Sequence, residues 1–427
     1  MGPPTAPRQA STGGADVGDV THNPPPGGAA HGTPPGGAAR GAATGDATAR
    51  LAALAARRAA AAHPGRPLDA LLADDLGGND LKTLVMHALR RRARRRSFAD
   101  LRAELGRLAM AHASEADARR LHAFDGAFFA AAAGFEAIEL APVQPLGASA
   151  CAGVDPNHVL ATHRAVEASS DPATALALHA ARRRLAGDRG PVRLCASLRV
   201  LRLQPLDDPA FRPHFRLAAL ASAARSTGPR DDDGCERRAL LEHLLVWADA
   251  FDRAAAAGFR TSGLRVLLSD TRLVRACLLA CGIDPEGASR LASATRPDAA
   301  DGLLHPAGGR IARAAPDPVE AARALGLGAR ELALAAALAR DVAEPLRARR
   351  PDVEVAFDLG RLQGLSYYAG PFVRLVLRRD DGLELGAGDG GATTWLQALH
   401  SDRRERLVTT GVGAELLVKL FDGPRAP

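Results

Sequence analysis

Tyr367 and Tyr368 are the only tyrosines among the 427 residues, and they stand side by side between Gly364 and Gly370. A phenol both donates and accepts a hydrogen bond, so the pair suits contact with a small polar ligand. The plainer alternative is packing within a sheet, and the flanking glycines keep both readings open. The run from Arg90 to Arg96, broken only by Ala93, is the sharpest basic cluster in the chain. It reads first as a solvated helix face and second as a phosphate-binding patch. The five cysteines are Cys151, Cys195, Cys235, Cys277 and Cys281, an odd set whose spacing matches no zinc signature. Cys277 and Cys281 lie one helical turn apart on an apolar stretch and read as small core residues rather than metal ligands. A phosphate loop, a dinucleotide fingerprint, a zinc-protease histidine pair and a nucleophile elbow are all missing. The 13 histidines are scattered. One of them, His243, falls on an amphipathic helix and reads as structural. No catalytic residue and no metal site is expected from these patterns.

Composition sets the outer bounds. A hydrophobic content of 47% over this length can bury one large core with a smaller satellite. Lys82 and Lys419 are the only lysines among 55 basic residues. That skew towards arginine, with the alanine and glycine excess, is the mark of GC-rich coding. The net charge of +7 therefore argues little for a nucleic-acid partner, and none is expected. No apolar run approaches the roughly 20 residues that span a bilayer. The first residues lack the charged-then-apolar order of a signal peptide. Free cysteines and these absences point to the cytoplasm, with no membrane contact.

The elements that must position these residues follow from pattern. Residues 1–45 are Pro, Gly, Ala and Thr with few large apolar side chains. They cannot offset their ordering entropy, so a disordered tail is expected. Residues 46–133 carry leucines at helical spacing and form a helical N-terminal region. From Gly134 onward the pattern turns to strands. Phe135–Leu140 alternates, and so does the longer stretch Val192–Val200, answered by Phe215–Ala224 across a turn-rich link. Further strands are predicted at Leu264–Ser269, Val353–Leu359, Phe372–Arg378 and Leu407–Gly411. Helices are predicted at about 173–186, 236–257, 271–281 and 330–348. Strands with helices inserted between them predict an α+β fold on a mostly antiparallel sheet.

Four segments, in order, carry a resemblance. Gly134-Phe135-Glu136-Ala137-Ile138-Glu139-Leu140-Ala141-Pro142-Val143 looks like a helix-to-strand unit ending in a proline. Asp171-Pro172-Ala173-Thr174 opens a helix. Leu198-Arg199-Val200-Leu201-Arg202 leads into a loop and a returning strand. Leu362-Gln363-Gly364-Leu365-Ser366-Tyr367-Tyr368-Ala369-Gly370 is followed by Gly388-Asp389-Gly390-Gly391 and by Gly411-Val412-Gly413-Ala414-Glu415-Leu416. Together they resemble the class II aminoacyl-tRNA synthetase core of the histidyl branch, shared by histidyl-tRNA synthetases and their paralogue, the regulatory subunit of ATP phosphoribosyltransferase. The resemblance covers residues 134–425, with 284–350 as the family's helical insertion. It implies a homodimer pairing through the Phe135–Val143 region.

The resemblance also implies a site. Asp171 and Thr174 match the element that contacts the amino-acid substrate. Arg199 matches the arginine that meets the α-phosphate of ATP, with Arg202 beside it. Gln363, Ser366, Tyr367, Tyr368 and Asp389 match the pocket strands. In a strand from Leu365 to Tyr368, alternation puts Tyr367 and Tyr368 on opposite faces, one in the pocket and one beneath the sheet. Asp171 or Asp389 would pair with an α-amino group and Arg199 with a carboxylate or phosphate. Gly388, Gly390 and Gly391 would let a ligand approach the backbone.

The departures matter as much. Gln363 and Leu416 stand where the family has arginines, and Leu201 where motif 2 has a glutamate. Each lost arginine typically costs about 10²–10³ in rate. ATP binding is therefore doubtful. The last segment also ends close to Pro427, so a C-terminal anticodon-binding module is expected to be missing. These points favour a non-charging regulatory protein that binds an amino-acid-like molecule and partners a catalytic subunit of ATP phosphoribosyltransferase. The alternative is an enzyme that adenylates or ligates another amino-acid-like substrate.

Overall fold

The computed structural model describes residues 70–104, 109–162, 166–203, 212–227, 234–294 and 309–422, with Leu304 and a few positions between 50 and 65. The tail 1–45 lies outside the described residues. The chain divides into two units, Met1–Leu76 and Gly77–Pro427. In the first, the described structure is a π-helical turn, Leu71–Asp75, and scattered helical positions.

The second unit opens with a helix, Gly78–Arg94, that buries no side chain. Arg90–Arg96 is exposed throughout. Its cationic last turn faces the negative end of the helix dipole, a favourable placement that needs no partner.

The strands are β1 (Glu136–Ala137), β2 (Val143–Pro145), β3 (Val166–Ala168), β4 (Val192–Leu201), β5 (His214–Arg225), β6 (Thr261–Asp270), β7 (Glu354–Phe357), β8 (Pro371–Arg379), β9 (Glu384–Thr393) and β10 (Glu405–Val412). Eight of them form one sheet in the order β1-β4-β5-β10-β9-β8-β6-β7, and β2 pairs with β3 in a small second sheet. Only β1–β4 and β6–β7, at the two edges, are parallel; every other pair is antiparallel. The long hairpin predicted from alternation is present, registered from Val192↔Ala223 to Leu201↔His214. The expected α+β architecture is the observed one.

Three predicted elements differ. Phe135–Leu140 was expected as a strand, but only Glu136 and Ala137 form a strand, parallel to β4, with the Ile138 amide bonding to the Cys195 carbonyl. The helix at 330–348 is three pieces: Ala329–Leu338, a π-turn at Ala339–Ala343 and Glu344–Arg349. Pro345 explains the break, since its ring excludes the carbonyl four residues back and removes a donor. Leu365–Tyr368 is a turn, with consequences described below.

The core between the sheet and the helix Cys235–Ala256 is aromatic despite the low aromatic content. Phe128 stacks on Trp247 at 5.0 Å, and Phe124 meets Phe259 edge-on. His243 is fully buried between Ser222 and Thr410, at 2.9 and 3.0 Å, and Trp247 donates to the same Thr410 hydroxyl at 2.7 Å. Burial pushes the His243 imidazole down to about 3, so it is neutral. Cys277 is buried in this core, as its spacing predicts. Among the described residues no helix is long and apolar enough to cross a membrane.

Candidate ligand site

Over the centre of the sheet lies a cavity of about 460 Å³. That is within the roughly 300–1,000 Å³ typical of small-molecule sites. Its floor comes from β9 and β10, including Gly386, Gly388, Asp389, Thr409 and Gly411. One wall is Asp171 to Ala173 with Arg202, and a second wall is the segment from Arg361 to Tyr368.

Each wall has a local cause. Asp171 caps the helix Pro172–Leu185: its carboxylate accepts from the Ala173 amide at 2.8 Å, and Pro172 follows at the first helical position. The small β2–β3 sheet braces this corner. Glu167 accepts from the amides of Gly147 and Ser149, and the Ser149 hydroxyl contacts that of Ser170 at 2.8 Å. Arg202, leaving β4, donates to the Ser170 carbonyl at 2.7 Å and to Asp171 at 2.8 Å. Burial nevertheless raises the Asp171 carboxyl above its usual value, against the pull of Arg202.

On the other wall the tyrosines sit in a turn. Gly364 takes φ +87°, a conformation costly for any residue with a Cβ, and its carbonyl accepts from the amides of Tyr367 and Tyr368. Strand alternation therefore does not apply, and both rings line the cavity. They meet edge-on at 4.9 Å, and Trp395 backs Tyr367 at the same distance. Tyr368 donates to Asp389 at 3.0 Å. Burial and the nearby carboxylates raise both phenols well above the ordinary tyrosine range, so both remain neutral donors.

Of the residues anticipated from the sequence, Asp171, Arg202, Gln363, Tyr367, Tyr368 and Asp389 line the cavity; Thr174, Arg199 and Ser366 do not. Thr174 is buried behind the wall on its helix, and Ser366 is exposed at the turn. Arg199 is the most informative correction. It pairs with Glu415 at 2.9 Å and contacts the His214 ring at 2.9 Å, and it is absent from the lining. Glu415 is 2% exposed and also takes a hydrogen bond from Ser114, with Lys419 at 3.5 Å. The arginine expected to meet a phosphate is thus held by the protein's own carboxylate. The glycines are corrected too. A Cβ at Gly390 would lie 2.4 Å from the Thr409 carbonyl oxygen, so that glycine serves strand packing rather than ligand approach.

Four cations of the lining went unanticipated, Lys419 among them. Arg361 and Arg374 line the cavity, as does Arg212, which pairs with Glu115. Arg374 was legible in part: it alternates with Phe372 and Val376 on a predicted strand, a charge on an otherwise apolar face. Arg361 lies just before the tyrosine signature, two residues from the Gln363 that the resemblance singled out.

The eight-stranded sheet with this cavity is the class II aminoacyl-tRNA synthetase-like fold. The structure is similar to an ATP phosphoribosyltransferase regulatory subunit/histidyl-tRNA synthetase from Bacillus halodurans, at 16% identity and TM-score 0.54, over 71% of this chain and 80% of that one. It is similar also to a histidine–tRNA ligase subunit from Alicyclobacillus acidocaldarius, at 19% identity and TM-score 0.54, over 73% of this chain and 95% of that one. At such identities the likeness is one of fold. No protein-family model matches the sequence, and no curated protein does.

Proposed function

We propose that this protein is a non-charging paralogue of the histidyl-tRNA synthetases that binds an amino-acid-like molecule and regulates a partner. The fold neighbour described as a regulatory subunit of ATP phosphoribosyltransferase suggests that partner, a catalytic subunit of the same enzyme. The protein would act in the cytoplasm as a homodimer joined through the Phe135–Val143 region. The observation that carries the reading is the closure of Arg199 on Glu415. Adenylation needs arginines free to hold phosphates in the transition state. Here one is occupied, and Gln363 and Leu416 line the cavity where two others would stand.

Pyrophosphate exchange into ATP with histidine tests it. Purified protein is expected to show none. A rate within about tenfold of an ordinary synthetase would sink the proposal, since lost arginines cost far more than that. Exchange driven by a different amino acid would instead favour a rebuilt ligase.

A further inference from the structure

Two guanidinium groups that line the cavity keep donors that the carboxylates around them do not take. Arg361 has a side chain only 3% exposed, and its Nη1 is buried with no partner among the described residues. A buried charged donor left open is costly, and such groups persist where something else completes them. Arg374 makes no hydrogen bond or ion pair among the described residues, yet it lines the same cavity.

Both residues border Asp389, one by register and one by an ion pair. Arg374 lies directly opposite Asp389 in the β8–β9 register, so the two side chains share a face. Arg361 reaches the same Asp389 at 3.2 Å from outside the sheet. It also stacks over the Phe372 ring at 4.8 Å, and Phe372 is the same-face neighbour of Arg374 on β8. A Cβ at Gly386 would sit 2.9 Å from the Arg374 guanidinium, so glycine there leaves room for that group.

Charge balance points the same way. The described lining carries Arg202, Arg212, Arg361, Arg374 and Lys419 against Asp171, Asp389 and Glu415, an excess of two positive charges. The pair Arg361 and Arg374 against the single Asp389 carries one of these charges. A zwitterionic amino acid leaves that excess uncompensated, whereas a ligand with an extra acidic group removes it.

We propose that Arg361 and Arg374 form an oxyanion seat, and that the ligand is an amino-acid-like molecule with a second acidic group, a carboxylate or a phosphate. The proposal rests on the small-ligand reading above. The seat is built on residues other than Gln363 and Leu416, where the synthetase resemblance puts its own arginines.

The test is thermal shift and calorimetry on the full chain at constant ionic strength, which removes nonspecific screening effects. The probes are glutamate and O-phosphoserine, each against its uncharged counterpart, glutamine or serine. At least one acidic probe should bind saturably and its counterpart should not; which one binds tells carboxylate from phosphate. Arg374→Gln should weaken that probe about tenfold or more, as expected for a lost charge-assisted contact. Arg361→Gln should do the same, and Arg374→Gln, at the less buried position, keeps the test valid should Arg361→Gln fail to fold. Equal binding of acidic and uncharged probes, or an unchanged preference in Arg374→Gln, overturns the seat while leaving the small-ligand reading intact. If neither these probes nor any of the twenty amino acids shifts the melting temperature, both fall.

Discussion

The two ends of the cavity treat arginine in opposite ways. At the end formed by β4 and the helix Ala414–Phe421, Glu415 is buried and pairs with both Arg199 and Lys419 while taking a hydrogen bond from Ser114. At the end formed by β8 and β9, Asp389 keeps 56% of its side-chain exposure, and two arginines approach it while only one pairs with it. In the first both cations pair with the carboxylate; in the second Arg374 does not. The comparison teaches that counting arginines says little about phosphate or carboxylate binding until their partners are known.

The largest effect belongs to the closed end. Glu415→Ala leaves Arg199 and Lys419 facing each other without their carboxylate. Breaking a fully buried pair typically costs about 3–5 kcal/mol. Arg199 keeps 35% of its exposure and can be partly rehydrated. About 2–3 kcal/mol is therefore expected, read as a lower urea midpoint at unchanged slope. An unchanged midpoint would mean that the closed end is not held by this pair.

An effect smaller per pH unit, but adding up to about 3 kcal/mol between pH 6.5 and pH 4, comes from beneath the floor, where Thr410 lines the cavity and bonds to His243. With His243 held down to about 3, the unfolded chain binds a proton below about pH 6.5 that the folded chain refuses. Stability is thus present above pH 6.5 and lost as pH falls towards 3, at about 1.4 kcal/mol per pH unit for this one group. Comparing wild type with His243→Gln across pH 4–7 isolates it. Parallel pH profiles for the two proteins would refute the neutral buried histidine.

The smallest effect should be at the open end. Arg374→Gln removes no internal pair, so unliganded stability should stay within about 0.5 kcal/mol of wild type. A loss comparable to that of Glu415→Ala would show that both ends are structural, and the contrast between them would vanish.

Much of the fold was legible in the residues themselves. Alternation located β4 and β5 almost to the residue, although both faces of this pair are largely buried and feed two different core clusters. The Asp171-Pro172 pair announced a helix start, since a capping carboxylate and a proline without an amide suit that place alone. The Gly-Leu-Ser-Tyr-Tyr order pointed to the cavity wall. The turn that puts both tyrosines on one side was not legible, because Gly364 resets the backbone where alternation would have continued. Nor could the sequence by itself say which arginine is spent and which is open. Arg199 and Glu415 are 216 residues apart, and Arg361, Arg374 and Asp389 meet only through the β8–β9 register and a loop folded over Phe372. Propensity and periodicity are local and survive in a linear text, whereas charge pairing depends on distances that only the tertiary structure sets.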